Sequence, residues 1–177
     1  MPTIDPNRSL LLVIDFQARL MPAIHDSDGV LRNARRLVDA ARILGIPRLF
    51  TEQNAKGLGH TVSAVPVDGD PVVDKQSFDV CREPGFLDRL PADATIIVTG
   101  CEAHVCVQQT VLGLLGAGRT VAVAGDATGS RDPTNRDAAL RRMERHGADT
   151  VTTEMIVFEW LQTAEHPHFR PTVALIK

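Results

Sequence analysis

Cysteine is scarce in this chain: three residues, an odd number without the spacing of a disulfide framework, so a small cross-linked scaffold is excluded and free thiols are expected. Charge of one sign is lacking too. Nineteen Lys and Arg against 22 Asp and Glu give a net charge of -3, and no basic stripe stands out, which leaves no electrostatic footprint for nucleic acid. The longest strongly apolar run, residues 10–14, falls far short of the roughly 18 residues a membrane span needs. Residues 1–7 are polar and punctuated by proline rather than built as a charged segment followed by an apolar one, so a cytoplasmic location is expected. Repeats, linker-like stretches and low-complexity runs are absent, and residues 1–177 are expected to form one domain, long enough to bury a core without staples or metal. What is present is ordinary: 44% hydrophobic and 23% charged residues, with 13 Gly and 11 Pro, a globular composition. Small-molecule chemistry is the expectation, with neither nucleic acid nor membrane as partner.

The chain alternates short apolar runs with amphipathic segments. Ser9-Leu10-Leu11-Leu12-Val13-Ile14 is a continuous run ending at Asp15, the signature of a central parallel strand with a carboxylate at its carboxyl end. Val30, Leu31, Ala34, Leu37, Val38, Ala41 and Leu44 share one helical face, and Gly45 and Pro47 end that helix, expected over 30–44. Further strands are expected over 48–51, 95–99, 120–124 and 150–152 and a short strand or extended segment over 72–75, with a Gly-rich loop over 52–61 and helices over 84–90 and 154–162. Asp132 before Pro133 reads as the N-cap of another helix running to about His146. Alternation of this kind predicts an α/β fold, a mainly parallel central sheet covered by helices on both faces, and open sheets of this type bind ligands at the carboxyl ends of their strands.

Three polar residues fall at that edge: Asp15, Lys75 and Cys106. After the strand 95–99, Gly100 is expected to break the run, and Val107, Val111, Leu114 and Leu115 form a helical face. Cys106 is thus expected in or near the first turn of a helix, where the dipole and unpaired N–H groups favour thiolate. Position alone leaves two readings open, since free cysteine often acts as a small buried hydrophobe; Cys81 and Cys101 fit that description. Taken singly, Asp15 also suits a turn cap and Lys75 a solvated surface position. Together they are complementary, because a thiol attacking a carbonyl needs a base for its proton and a cation for the thiolate.

The segments LLLVIDFQ with Asp15, DKQSFD with Lys75, VTGCEAHVCVQQT with Cys106, and AGDATGSR occur in this order. In them the chain, from about Ser9 to Phe158, resembles the isochorismatase-like cysteine hydrolases, most closely the isochorismatase domain-containing subgroup. That resemblance implies a three-layer Rossmann-like fold and an Asp-Lys-Cys triad of Asp15, Lys75 and Cys106. It implies a cis peptide between Cys101 and Glu102 that turns the Glu102 N–H toward an oxyanion shared with the Cys106 N–H, and a homo-oligomer. The expected activity is hydrolysis of a C–N bond in a small amide or carbamoyl substrate through a thioester. Phe16, Gln17, Glu52, Phe78, His104 and Gln109 are the candidates for substrate contact. In nicotinamidases, a related branch, an Asp-x-His motif and further histidines hold a metal. Here that loop reads TEQNAKGLGHT, with Glu52 and His60 but no pair of histidines, so no metal and no cofactor are expected. His166 and His168 read as a solvated segment, and Asp126 as a residue bonding its following turn.

Two other classes remain. A dinucleotide-binding oxidoreductase would share the sheet, but no G-x-G-x-x-G follows a strand. A non-catalytic or redox-sensing interaction module would keep the fold and lose turnover.

Overall fold

The computed structural model describes residues 3–177; residues 1 and 2, which open the polar segment and the expected domain, lie outside the described residues. Six strands, β1 (Ser9–Ile14), β2 (Arg48–Gln53), β3 (Val72–Lys75), β4 (Thr95–Cys101), β5 (Thr120–Gly129) and β6 (Asp149–Val151), form one sheet in the order β3-β2-β1-β4-β5-β6. Every neighbouring pair is parallel. Strands of such a sheet are covered on both faces, which is why β1 and β4 are buried at every position.

The covering layers follow from the amphipathic segments. Helices α1 (Ser27–Ile43), α5 (Thr153–Leu161) and α6 (Phe169–Val173) pack with one another, and their face of the sheet holds a core of Leu11, Val13, Phe50, Ile97, Leu37 and Trp160 among others. Helices α3 (Gln108–Gly116) and α4 (Pro133–Arg145) pack together on the opposite core, with Leu10, Leu12, Ile14, Ile96, Val98 and Cys106. Alternation along β1 decides the division, because successive side chains point to opposite faces. Asp132 caps α4 as its sequence suggests, accepting from the Thr134 N–H at 2.8 Å.

Several boundaries differ from the sequence reading. Gly100 does not end β4. It pairs with Ile14 and lies so close to the Ile14 carbonyl that a Cβ there would strike backbone, so the strand continues to Cys101. The expected helix over 84–90 is replaced by 3-10 turns at Val80–Arg82 and Leu87–Arg89. Asp79 caps the first through the Cys81 N–H at 2.9 Å, and Pro84 and a left-handed Gly85 separate the two. A short helix, α2 (Ala55–Leu58), sits inside the Gly-rich loop. Asp126 does not bond its own turn: its Oδ1 accepts from the Thr153 N–H at 2.8 Å, and its Oδ2 from Asn33 at 3.2 Å, tying β5 to α5 and α1.

Chain order places the site. From β1 the sheet grows outward through β2 to β3, then the chain returns to lay β4 on the other side of β1. The carboxyl ends of β1 and β4 therefore flank the topological switch point, where open α/β sheets leave a crevice.

Candidate active site

Asp15 directly follows β1 in a left-handed conformation, φ 54°, one that Asp tolerates better than most residues. Both carboxylate oxygens are engaged. Oδ1 accepts from the Thr51 hydroxyl at 2.6 Å, and Oδ2 from the Lys75 ammonium at 2.8 Å. Lys75 is the last residue of β3, and its Nζ also donates to Gln53 Oε1 at 2.7 Å and to the Ser77 carbonyl at 3.4 Å. An ammonium has three donors, and all three are used inside the protein.

Cys106 enters from the other side of the switch point. The peptide bond between Cys101 and Glu102 is cis, and the chain then makes a π-helical turn, Ala103–Val107, before α3 begins. Such turns inside helices are frequent at functional sites. The Cys106 thiol donates to Gln53 Oε1 at 3.9 Å and faces both Asp15 and Lys75. Asp15, Lys75 and Cys106 are 1%, 1% and 6% exposed, so the three groups meet in a site almost closed to solvent.

The expectation that this position favours thiolate is corrected. Burial pushes the Cys106 thiol up to about 12, and the Asp15 carboxylate pushes the same way against the pull of Lys75. Desolvation disfavours the charged form, and here it outweighs the helix end and the cation. What the arrangement offers is a neutral thiol next to a carboxylate that can take its proton as it attacks. Cys81 does not compete as a thiolate: burial and then Asp79 push it, too, up to about 12. Cys101 is pushed up by burial in the opposite core.

The remaining sequence candidates are divided between the neighbourhood of the site and positions away from it. Glu102 is buried, and its carboxylate accepts from the Arg131 N–H and Arg131 Nε, each at 3.0 Å, anchoring the segment after β5. His104 sits beside Ser130, Nδ1 to Oγ 3.0 Å. Phe78 is half exposed on the segment following Lys75, and Gln109 is partly buried on α3. Phe16 and Gln17 lie elsewhere. Phe16 is fully buried in the α1 and α5 core, across the sheet from Cys106. Gln17 clips backbone: it accepts from the Gln53 N–H at 2.8 Å and donates to the Gln53 and Gly59 carbonyls at 3.1 and 2.6 Å. Sequence reasoning passed over Thr51 and Gln53, whose side chains touch the ion pair. The usable signal was spacing: Gln53 pairs with Lys75 across adjacent parallel strands, so both side chains leave the same face of the sheet.

The isochorismatase domain matches residues 9–155, spanning all six strands. The chain belongs to the isochorismatase family. Among its relatives is isochorismatase domain-containing protein 1 of Danio rerio, 36% identical over 177 residues, which cover 98% of this chain and 62% of that protein. The chain thus spans about 62% of the length of that relative. A solved structure described as the MAR1 ribonuclease of Caenorhabditis elegans is 39% identical, with a TM-score of 0.92 over 98% of this chain and 92% of that one. YcaC from Pseudomonas aeruginosa, described with hexane-2,5-diol and covalent acrylamide, is 25% identical, with a TM-score of 0.88 over 99% of this chain and 96% of that one.

The end of β2 and the loop after it, set against the metal-holding segment of nicotinamidases, carry Glu52 and His60. Glu52 is buried, and its carboxylate is spent on that loop: Oε1 accepts from the Thr61 N–H and hydroxyl at 2.7 and 2.8 Å, and Oε2 meets His60 Nδ1 at 2.8 Å. Burial raises the Glu52 carboxyl, but the Thr61 and His60 contacts outweigh it and hold the group below its usual value. Among the described residues no group of three or more His, Cys, Asp and Glu could hold a metal ion. This donor set does not fit a metal. Also among the described residues, no helix is long and apolar enough to cross a membrane.

Proposed function

We propose that this isochorismatase-family protein is a cysteine hydrolase that cleaves a C–N bond of a small amide or carbamoyl compound through a thioester on Cys106. The observation carrying this reading is a buried thiol facing a carboxylate whose orientation is fixed by an ammonium at 2.8 Å. Asp15 takes the thiol proton as sulfur attacks the carbonyl carbon, and the backbone N–H groups of Glu102 and Cys106 receive the oxyanion. The C–N bond breaks, and Asp15 hands its proton to the leaving amine. Water, deprotonated by Asp15, then attacks the thioester; the acid leaves and the thiol recovers its proton. Lys75 keeps Asp15 aimed and offsets the charge on sulfur. The covalent acrylamide described for YcaC from Pseudomonas aeruginosa supports a nucleophile in this family, since acrylamide is an electrophile that thiols attack. His104, Phe78 and Gln109 are the proposed substrate contacts, and a homo-oligomer, supported by the exposed Met155 and Phe158 on α5, is the proposed assembly.

The ribonuclease description of the Caenorhabditis elegans relative, at 39% identity, gives a second reading. The net charge of -3 weighs against it, because phosphate binding is driven by clustered cations. One experiment separates the two: a panel of small amides and ureido compounds beside an RNA oligonucleotide, with wild type and Cys106→Ala, in chelator. Release of amine or ammonia by wild type alone, with an acyl adduct on Cys106 in intact-protein mass spectrometry, is the expected result. RNA cleavage that survives Cys106→Ala would replace this reading with the second, and turnover that is lost in chelator and restored by added zinc or manganese would overturn the metal-free mechanism.

A further inference from the structure

The strands β2 and β3 put Gln53 and Lys75 side by side in register. Gln53 Oε1 accepts from Lys75 Nζ at 2.7 Å and from the Cys106 thiol at 3.9 Å, while Nε2 donates to the Gln76 carbonyl at 2.8 Å. An ammonium can only donate and a carbonyl can only accept, so these partners fix which end of the amide faces the site. The backbone of Gln53 is pinned as well, since Gln17 bonds both its N–H and its carbonyl. Every polar group of this residue is held, and the oxygen it presents stands between the cation and the sulfur.

We infer that Gln53 is a positioning residue: it fixes Lys75 through a neutral oxygen, leaving the lysine's full charge for Asp15 and Cys106. The inference rests on the hydrolase reading above for its catalytic meaning. The choice of amide over carboxylate is what matters. With glutamine the buried cluster of Asp15, Lys75 and Gln53 contains one negative and one positive charge, and formation of a thiolate adds the only excess charge. A glutamate would keep the size and the bond to Lys75 but place a second carboxylate beside the sulfur. Like charges disfavour a further anion, so the thiol would surrender its proton less readily. A methionine would keep the length and remove the oxygen, so the thiol loses an acceptor that favours its protonated form while Lys75 loses one of the contacts that aim it.

The test compares wild type, Gln53→Glu and Gln53→Met by the rate of iodoacetamide alkylation of Cys106 at fixed alkaline pH, read by peptide mass spectrometry, and by kcat and KM on an amide found in the panel. Gln53→Glu is expected to slow alkylation about tenfold or more, since each unit of thiol pKa is tenfold in thiolate. Gln53→Met is expected to alkylate as fast as wild type or faster while kcat falls and KM stays close to wild type. A role confined to stability would instead move both variants together, in step with their melting temperatures. An unchanged alkylation rate in Gln53→Glu overturns the inference, as does an unchanged kcat in Gln53→Met if the glutamate variant does not fold. Alkylation needs no turnover, so this arm decides on Gln53 even if Cys106→Ala were to show that hydrolysis does not depend on the thiol.

Discussion

At the scale of single residues the two charges flanking Cys106 act on it with opposite signs, and that makes their roles separable. Asp15 pushes the thiol up and Lys75 pulls it down. Asp15→Asn should therefore lower the thiol pKa and speed alkylation of Cys106, while removing the base and reducing turnover by roughly 10²- to 10⁴-fold. Lys75→Met should do the reverse to the thiol, slowing alkylation. It should also destabilise the fold by about 3 to 5 kcal/mol, because it strands a buried carboxylate. Slower alkylation in Asp15→Asn would show that the carboxylate helps form the thiolate even in the resting enzyme. The positions of Asp15, Lys75 and Cys106 were legible because each stands where an apolar run or an extended segment ends. Their protonation was not. Burial of the site comes from elements distant in sequence, and the desolvation it imposes on Cys106 reverses what a helix start alone suggests. Gln53 was illegible for a related reason: its chemistry appears only when β2 and β3 are laid in register.

Elements carry the site through close approaches, and two glycines mark them. A Cβ on Gly100 would come within 2.6 Å of the Ile14 Cβ and 3.0 Å of its carbonyl carbon, and closer still to its carbonyl oxygen. Those are backbone and branched atoms in a buried strand, so β1 and β4 would have to separate at the switch point. At Gly113, on α3, the three atoms nearest an added Cβ all belong to the Asp79 carboxylate, the closest at 2.7 Å. That side chain can rotate away, at the loss of a cap worth about 1 kcal/mol, and the helix regains roughly 1 kcal/mol from replacing glycine by alanine. Gly113→Ala is thus expected to leave the denaturation midpoint nearly unchanged, whereas Gly100→Ala should lower stability by about 3 kcal/mol or more, as overpacked core sites do. Equal midpoints for the two variants would show that the strands can part without cost. The apolar runs marked the central strands clearly because burial on both faces leaves little ambiguity, and left the edge strand β3, buried at alternate positions, as a short strand or extended segment, but they did not show where strands stop. Beyond Ala124 in β5 and Thr99 in β4, small and polar residues remain in the ladder because the neighbouring strand holds them, and periodicity carries no record of a neighbour.

At the scale of the molecule the three thiols, all free, bind their protons more tightly folded than unfolded. Cys81 and Cys106 rise from 9.0 to about 12, and burial drives Cys101 in the same direction. Below pH 9 both states are protonated at these sites and the thiols leave stability unchanged with pH. Above it the unfolded chain releases protons that the folded chain keeps, so the unfolded state binds fewer, and the slope of unfolding free energy against pH is negative. Each unit of delayed titration is about 1.4 kcal/mol per thiol, enough in sum to consume much of the roughly 5 to 15 kcal/mol of a typical domain. The loss should fall between the unfolded value of 9.0 and the folded value of about 12. Urea midpoints measured at about pH 8 and about pH 10.5 are expected to drop over that interval, and to drop less in a Cys81→Ala and Cys101→Ala double variant, whose lower starting stability does not affect the slope. A midpoint that holds steady or rises would mean that the thiols titrate in the folded protein as they do in the open chain. The closed site would then admit enough water to solvate a thiolate at Cys106, and burial would no longer be what holds the proton on that sulfur.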